Sequence, residues 1–263
     1  MSNESVKMEL RNRICVLTLN RPEKRNAMDE DVTAGFREAI QKLREDPQAR
    51  VLIITGAGEA FSAGGNLQRM LERADTNFAD NRKTILAFYE TYLTVMDLEI
   101  PTIAAINGPA IGAGACLCMA CDMRYAASNS RIGFTFARIG LHPGMGAEYF
   151  LTRAVGVART YELLMTGDIL GADEACRIGL VNHVVPAGEL MERVMEVAEK
   201  IASMPALPIK MLKKSVPAAT RSALKDVLHM EATYQALCYE GNDIKEGISS
   251  MIEKRSPRFQ DEY

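Results

Sequence analysis

Two stretches of the sequence pair a strand with a Gly-rich turn and the start of a helix. The first is Ile103-Ala104-Ala105-Ile106, then Asn107-Gly108-Pro109, then Ala110-Ile111-Gly112-Ala113-Gly114-Ala115-Cys116. The second is Val51-Leu52-Ile53-Ile54-Thr55-Gly56, followed by Gly58-Glu59-Ala60-Phe61-Ser62-Ala63-Gly64-Gly65-Asn66-Leu67. Glycine and alanine let a ligand come close to the backbone. Peptide N–H groups in the first turn of a helix have no intrahelical partner, and the helix dipole is positive there. Such donors suit an oxygen that gains negative charge during a reaction. Two loops of this kind could give one N–H each to a single carbonyl oxygen, although either alone reads equally as a tight turn in an α/β core.

Other chemistry-bearing side chains are sparse. Cys116, Cys118 and Cys121 lie together on an apolar Ala/Met/Leu helix, where a free thiol behaves as a small hydrophobe. Cys15, Cys176 and Cys238 are scattered and make no disulfide framework in a chain of 263 residues. His142, His183 and His229 are too far apart for a metal motif, so no metal is expected. The net charge of −3 argues against a general nucleic-acid or membrane surface. With no apolar run long enough for a bilayer and no signal-like start, a cytoplasmic setting is expected.

The elements that must position these groups alternate between strand and helix. A strand pair is expected over 7–19. A helix capped by Asp29 follows, with Val32, Phe36, Ile40 and Leu43 on one face. Residues 72–83 are charged and read as a mobile loop. A helix over 84–97 carries Ile85, Phe88, Tyr92 and Val95, either as core or as the wall of an apolar pocket. Residues 140–146 read as a loop before a helix at 147–155. The division is an α/β core over 1–186 and a helical region over 187–263, with prolines 205 and 208 as a hinge.

The order and spacing of the two Gly-rich junctions resemble the crotonase superfamily, the enoyl-CoA hydratase/isomerase family. Further matches are Leu19-Asn20-Arg21-Pro22 with Asn26-Ala27, Ala120-Cys121-Asp122-Met123-Arg124, and Gly140-Leu141-His142-Pro143-Gly144-Met145-Gly146. The segments Leu164-Met165-Thr166-Gly167-Asp168 and Glu246-Gly247-Ile248 extend the match along nearly the whole chain. The resemblance implies a spiral of ββα units with a helical C-terminal extension, assembled as a homotrimer or a hexamer built from trimers. It implies acyl-CoA as substrate, with coenzyme A part of that substrate and no separate cofactor. The N–H groups of Ala63 and Ala113 would form the oxyanion hole. Lys24, Ala27, and the backbone of Ala63, Gly64, Gly65, Asn66 and Leu67 would lie near the CoA. Asn66 replaces the usual aspartate but keeps an oxygen for helix capping.

The departures decide the chemistry. Family hydratases use two glutamates to position and activate water. Cys116 and Phe136 stand at those positions here, so ordinary hydration of enoyl-CoA is doubtful. Within 136–148 the side chains able to exchange a proton near neutrality are His142 and Glu148, and Glu148, on a helix beside Phe136, is the first choice as acid/base. The leading expectation is thioester chemistry through a stabilised enolate in fatty-acid or related acyl-CoA metabolism. The alternatives are a non-catalytic acyl-CoA-binding or scaffold subunit, and a thioester hydrolase or lyase using Glu148 or His142.

Overall fold

The computed structural model describes residues 4–220 and 222–260. Its strands are β1 (Val6–Arg11), β2 (Ile14–Leu19), β3 (Val51–Gly56), β4 (Thr102–Ile106), β5 (Ala110–Ile111), β6 (Met123–Ala127), β7 (Arg131–Gly133), β8 (Ile169–Gly171) and β9 (His183–Val185). Its helices are α1 (Glu30–Glu45), α2 (Leu67–Ala74), α3 (Phe78–Leu93), α4 (Ala113–Ala120), α5 (Ala147–Ala154), α6 (Gly156–Thr166), α7 (Ala172–Arg177), α8 (Leu190–Ala202), α9 (Ala206–Ala219), α10 (Leu224–Glu240) and α11 (Asp243–Glu253). The large sheet runs β1-β2-β3-β4-β6-β9, and β5-β7-β8 form a second, small sheet. Only the β1–β2 hairpin is antiparallel in the large sheet.

Both faces of the sheet centre are covered, which is why β3 is buried along its whole length and Val51 to Ile54 form an unbroken apolar run. Leu52 and Ile54 face one cluster with Phe36, Tyr92, Ala104, Ile106 and Leu117. Val51 and Ile53 face another with Ile103, Ala105, Tyr125 and, from α8, Leu190, Val194 and Ala198. The α1 stripe is as expected: Asp29 Oδ1 accepts the Val32 N–H at 3.1 Å, and Val32, Phe36, Ile40 and Leu43 are buried.

Two expectations need correction. Residues 72–83 are the end of α2 and the first turns of α3, with Asn77 Oδ1 capping Asp80 N–H at 3.0 Å. Their charge reflects an exposed helix face, since Glu, Arg and Ala are good helix formers. The helical region also does not begin as one unit at 187: α8 packs onto the sheet, whereas α9–α11 bury almost nothing. Lysines tie α9 to the body: Lys213, 6% exposed, bridges to Asp122, whose carboxylate also accepts the Thr102 N–H at 2.7 Å, and Lys210 and Lys214 bridge to Glu99. Leu212, Val216, Leu224, Leu228, Met251 and Ile252 remain exposed on these helices.

Candidate active site

The two Gly-rich junctions meet, and Ser62 joins them. Its N–H donates to the Pro109 carbonyl at 3.1 Å, and its carbonyl accepts the Ile111 N–H at 3.0 Å. Its hydroxyl donates to the Asn26 carbonyl at 2.8 Å and accepts the Gly64 N–H at 3.1 Å. Asn26, fully buried, donates to the carbonyls of Ala57 (2.9 Å) and Ala60 (2.7 Å) and accepts the Arg21 N–H (2.8 Å). Asn107 does the same work on the other side, accepting from Gly56 N–H at 3.1 Å and donating to Gly58 carbonyl at 2.9 Å. These asparagines replace regular ladder bonds where the strands open into loops.

Close approach explains the small residues. A Cβ on Gly114 would lie 2.6 Å from the Ser62 carbonyl oxygen. Gly64 has φ +84°, and a Cβ there would lie 2.4 Å from Ile111 O and 3.2 Å from Ala113 N. The Gly64 backbone therefore abuts the start of α4.

This geometry reassigns one donor. The Ala63 N–H is not available to a ligand, because it donates to the Arg25 carbonyl at 2.9 Å. Met28 N–H donates to Gly64 O at 2.8 Å, a parallel bridge between Met28 and Gly65. That pairing leaves the Gly65 N–H with no hydrogen bond among the described residues. The Ala113 N–H, at the first turn of α4, is likewise without an acceptor among them. Among the described residues an N–H without an acceptor thus remains on each loop, at Gly65 and at Ala113, while that of Ala63 is taken. Asn66 caps α2 as expected, its Oδ1 accepting Arg69 N–H at 3.1 Å, and Leu67 opens that helix, exposed. Lys24 and half-buried Ala27 lie beside the loop through Met28. Lys24 Nζ is 3.3 Å from Asp29 Oδ2, so its charge is partly answered within the chain.

Cys116 lies one turn along α4 from Ala113 and is fully buried, with its thiol 3.5 Å from the Gly144 carbonyl. Burial pushes the thiol well up, so it stays protonated. Burial likewise pushes the Cys121 thiol up to about 12. Phe136 is half-buried, its ring edge at van der Waals distance from where a Gly112 Cβ would stand. Of the two positions implied for the family glutamates, one thus holds a buried thiol against the Gly144 carbonyl and the other a phenyl ring beside Gly112. Among the described residues, no three His, Cys, Asp or Glu side chains are grouped to hold a metal ion.

His142 and Glu148 come together, but at the surface. His142 Nε2 is 3.5 Å from Glu148 Oε1, with side chains 78% and 61% exposed. His142 Nδ1 is 2.8 Å from the Pro143 carbonyl, which can only accept, so Nδ1 carries the hydrogen of that contact. The expected sheltered position of Glu148 beside Phe136 is not what the fold provides.

Tyr89 was not foreseen. It lies on α3 next to Phe88, half-buried, and its hydroxyl packs on Gly144: a Cβ there would fall 1.9 Å from it. The Met145 N–H faces the phenol oxygen, and Cys116 is near. Burial, with the Cys116 thiol, pushes the phenol up from its usual range, while Met145 N–H and the Arg73 charge pull the other way.

These features sit on a fold with known relatives. Residues 9–262 match the family model described as enoyl-CoA hydratase/isomerase. The Mycobacterium tuberculosis protein named "Probable enoyl-CoA hydratase echA8" is 37% identical over 259 residues, covering 98% of this chain and 99% of that one. A crotonyl-CoA hydratase of Syntrophomonas wolfei is 34% identical over 98% of this chain and 99% of its own. The crystal structure of an enoyl-CoA hydratase from Bacillus anthracis superposes with TM-score 0.92 at 33% identity, covering 98% of this chain and all of that one. With the match running through both Gly-rich junctions and the C-terminal helices, the chain belongs to the enoyl-CoA hydratase/isomerase family.

Proposed function

We propose that this chain binds acyl-CoA thioesters and stabilises an enolate of the acyl group, with the thioester oxygen between the N–H groups of Gly65 and Ala113. The observation that carries the reading is this pair of backbone donors without acceptors, on two loops that Ser62 holds together. Donors fixed in advance cost nothing to reorganise as charge develops, and each is worth about 10²–10³ in rate. Crotonyl-CoA, named for one relative, is the natural first substrate to test. Hydration should be weak, because Cys116 and Phe136 supply no base where the family's glutamates are implied, and such a base contributes about 10²–10⁴-fold.

The test is calorimetry with acetyl-CoA and a longer acyl-CoA. Binding in the micromolar range, on the order of common metabolite affinities, is expected. Absence of heat with both, in folded protein, overturns the reading. Crotonyl-CoA turnover equal to that of the Syntrophomonas relative would overturn the expectation of weak hydration.

One observation favours a second reading, a thioester hydrolase or lyase: the 3.5 Å pairing of His142 with Glu148. Thioester cleavage lost in both Glu148→Gln and His142→Ala would select it. Assembly as a homotrimer or as a hexamer built from two trimers is supported by the exposed apolar side chains of α9–α11; a monomer by light scattering at micromolar concentration would refute it. A cytoplasmic setting fits the observation that no helix of the described residues is long and apolar enough to cross a membrane.

A further inference from the structure

We propose that Tyr89 is the proton donor of this site, delivering its hydroxyl proton to the α-carbon of the enolate held by Gly65 and Ala113. The proposal rests on the acyl-CoA reading and adds to it the group that completes the proton transfer. The placement follows from contacts. Cys116 stands three residues after Ala113, on the same side of α4, where such neighbours are about 5–6 Å apart. Its sulfur touches the Gly144 carbonyl, and the Tyr89 hydroxyl packs on the α-carbon of that same Gly144. The phenol thus reaches, from α3, the part of the 136–148 segment that packs against α4 one turn from Ala113.

Its neighbours suit this role. The Met145 N–H lies near the oxygen and favours the phenolate. Cys116 is a thiol that stays protonated and cannot serve as base. Phe136 packs against the same buried cluster as Tyr89. Arg73, from α2, brings a positive charge that favours the phenolate left after transfer. By contrast His142 and Glu148 are mostly in solvent.

In the step, the enolate π pair forms the Cα–H bond with the Tyr89 proton, the phenol O–H bond breaks, and the thioester carbonyl is restored. The phenolate then takes a proton from water. Run backwards, the phenolate removes an α-proton, so the site should exchange α-hydrogens of a saturated acyl-CoA with solvent. That direction needs the phenolate, and the exchange rate should rise with pH across the alkaline range. The charged and titratable groups facing Tyr89 are Arg73 and Cys116.

The experiment follows deuterium incorporation into the α-position of butyryl-CoA in heavy water by NMR, with calorimetry of butyryl-CoA on each protein. The parent protein should exchange with a rate that climbs with pH. Tyr89→Phe should bind butyryl-CoA with similar affinity but exchange about 10²-fold more slowly, without the pH rise. Gly144→Ala keeps the phenol but pushes a methyl into its place, and should also slow exchange. Bound butyryl-CoA with no exchange in the parent, or undiminished exchange in Tyr89→Phe, overturns the proposal. No binding by the parent overturns the acyl-CoA reading itself. A Tyr89→Phe protein that does not fold leaves Gly144→Ala to decide, and unchanged exchange there also overturns it.

Discussion

The Gly-rich junctions and the 136–148 segment line the same site by opposite means. The junctions use backbone. Ser62, Asn26 and Asn107 satisfy the opened strands, and carbonyl oxygens stand where any added Cβ on Gly64 or Gly114 would have to go. The 136–148 segment uses side chains, from half-buried Phe136 to largely exposed His142 and Glu148, on a turn with little packed against its outer face. The first region cannot change without damaging the fold. The second can exchange one side chain for another at little cost at exposed His142 and Glu148 and at half-buried Phe136, though not at tightly packed Gly144 or buried Met145. A family can therefore keep its oxyanion geometry while its acids and bases vary, and Cys116 and Phe136 fit that division.

The largest effect expected is from Gly114→Val. Its Cβ would meet Ser62 backbone and side chain at 2.6 and 2.8 Å, and overpacking of this kind costs about 3 kcal/mol. Urea unfolding should show that loss together with loss of acyl-CoA binding; an unchanged midpoint would mean that the junctions are looser than described. Next comes Phe136→Glu, which places a carboxylate facing Gly112. Crotonyl-CoA hydration should rise about 10²-fold, the usual contribution of a positioned base. No gain would mean that this segment is not as interchangeable as its exposure suggests.

Thiol labelling separates buried from accessible positions more gently. At pH 8, Cys116, Cys118 and Cys121, buried and with raised thiols, should react only as the protein opens. Half-buried Cys176 and Cys238 should label first by mass spectrometry. Prompt modification of Cys116 would contradict the sealed α4. The smallest effect belongs to Glu148→Gln, where stability should change by no more than about 0.5 kcal/mol, as for an exposed ion pair. A larger loss in thermal unfolding would show that the outer turn carries packing after all.

Much of the scaffold was legible because its signals are local. The Val32-Phe36-Ile40-Leu43 stripe, the Asp29 cap and the apolar β3 each follow from periodicity and composition. The two strand-to-helix junctions were found for the same reason. Which N–H they leave open was not, because in Ala63-Gly64-Gly65 the choice depends on a bridge to Met28, remote in sequence. Residues 72–83 were misread because charge on an exposed helix resembles charge in a loop. Tyr89 sits one residue after Phe88 of the noted apolar stripe, so periodicity passed over it. A phenol at the edge of such a stripe, just before a strand that ends in a Gly-rich turn, was the available signal.

The fourfold bonding of Ser62 also has a kinetic side. The amides of Gly64 and Ile111 are held by one residue that is itself held by Asn26 and Pro109. No small fluctuation releases one without the others, so their hydrogen exchange should follow opening of the whole domain rather than motion of a loop. The ordering entropy of the surface proposed to bind the thioester is then met when the chain folds, and capture of a ligand has little left to organise. A chain that loses every acid and base would still present this rigid surface, and would persist as a binder long after it had ceased to be a catalyst.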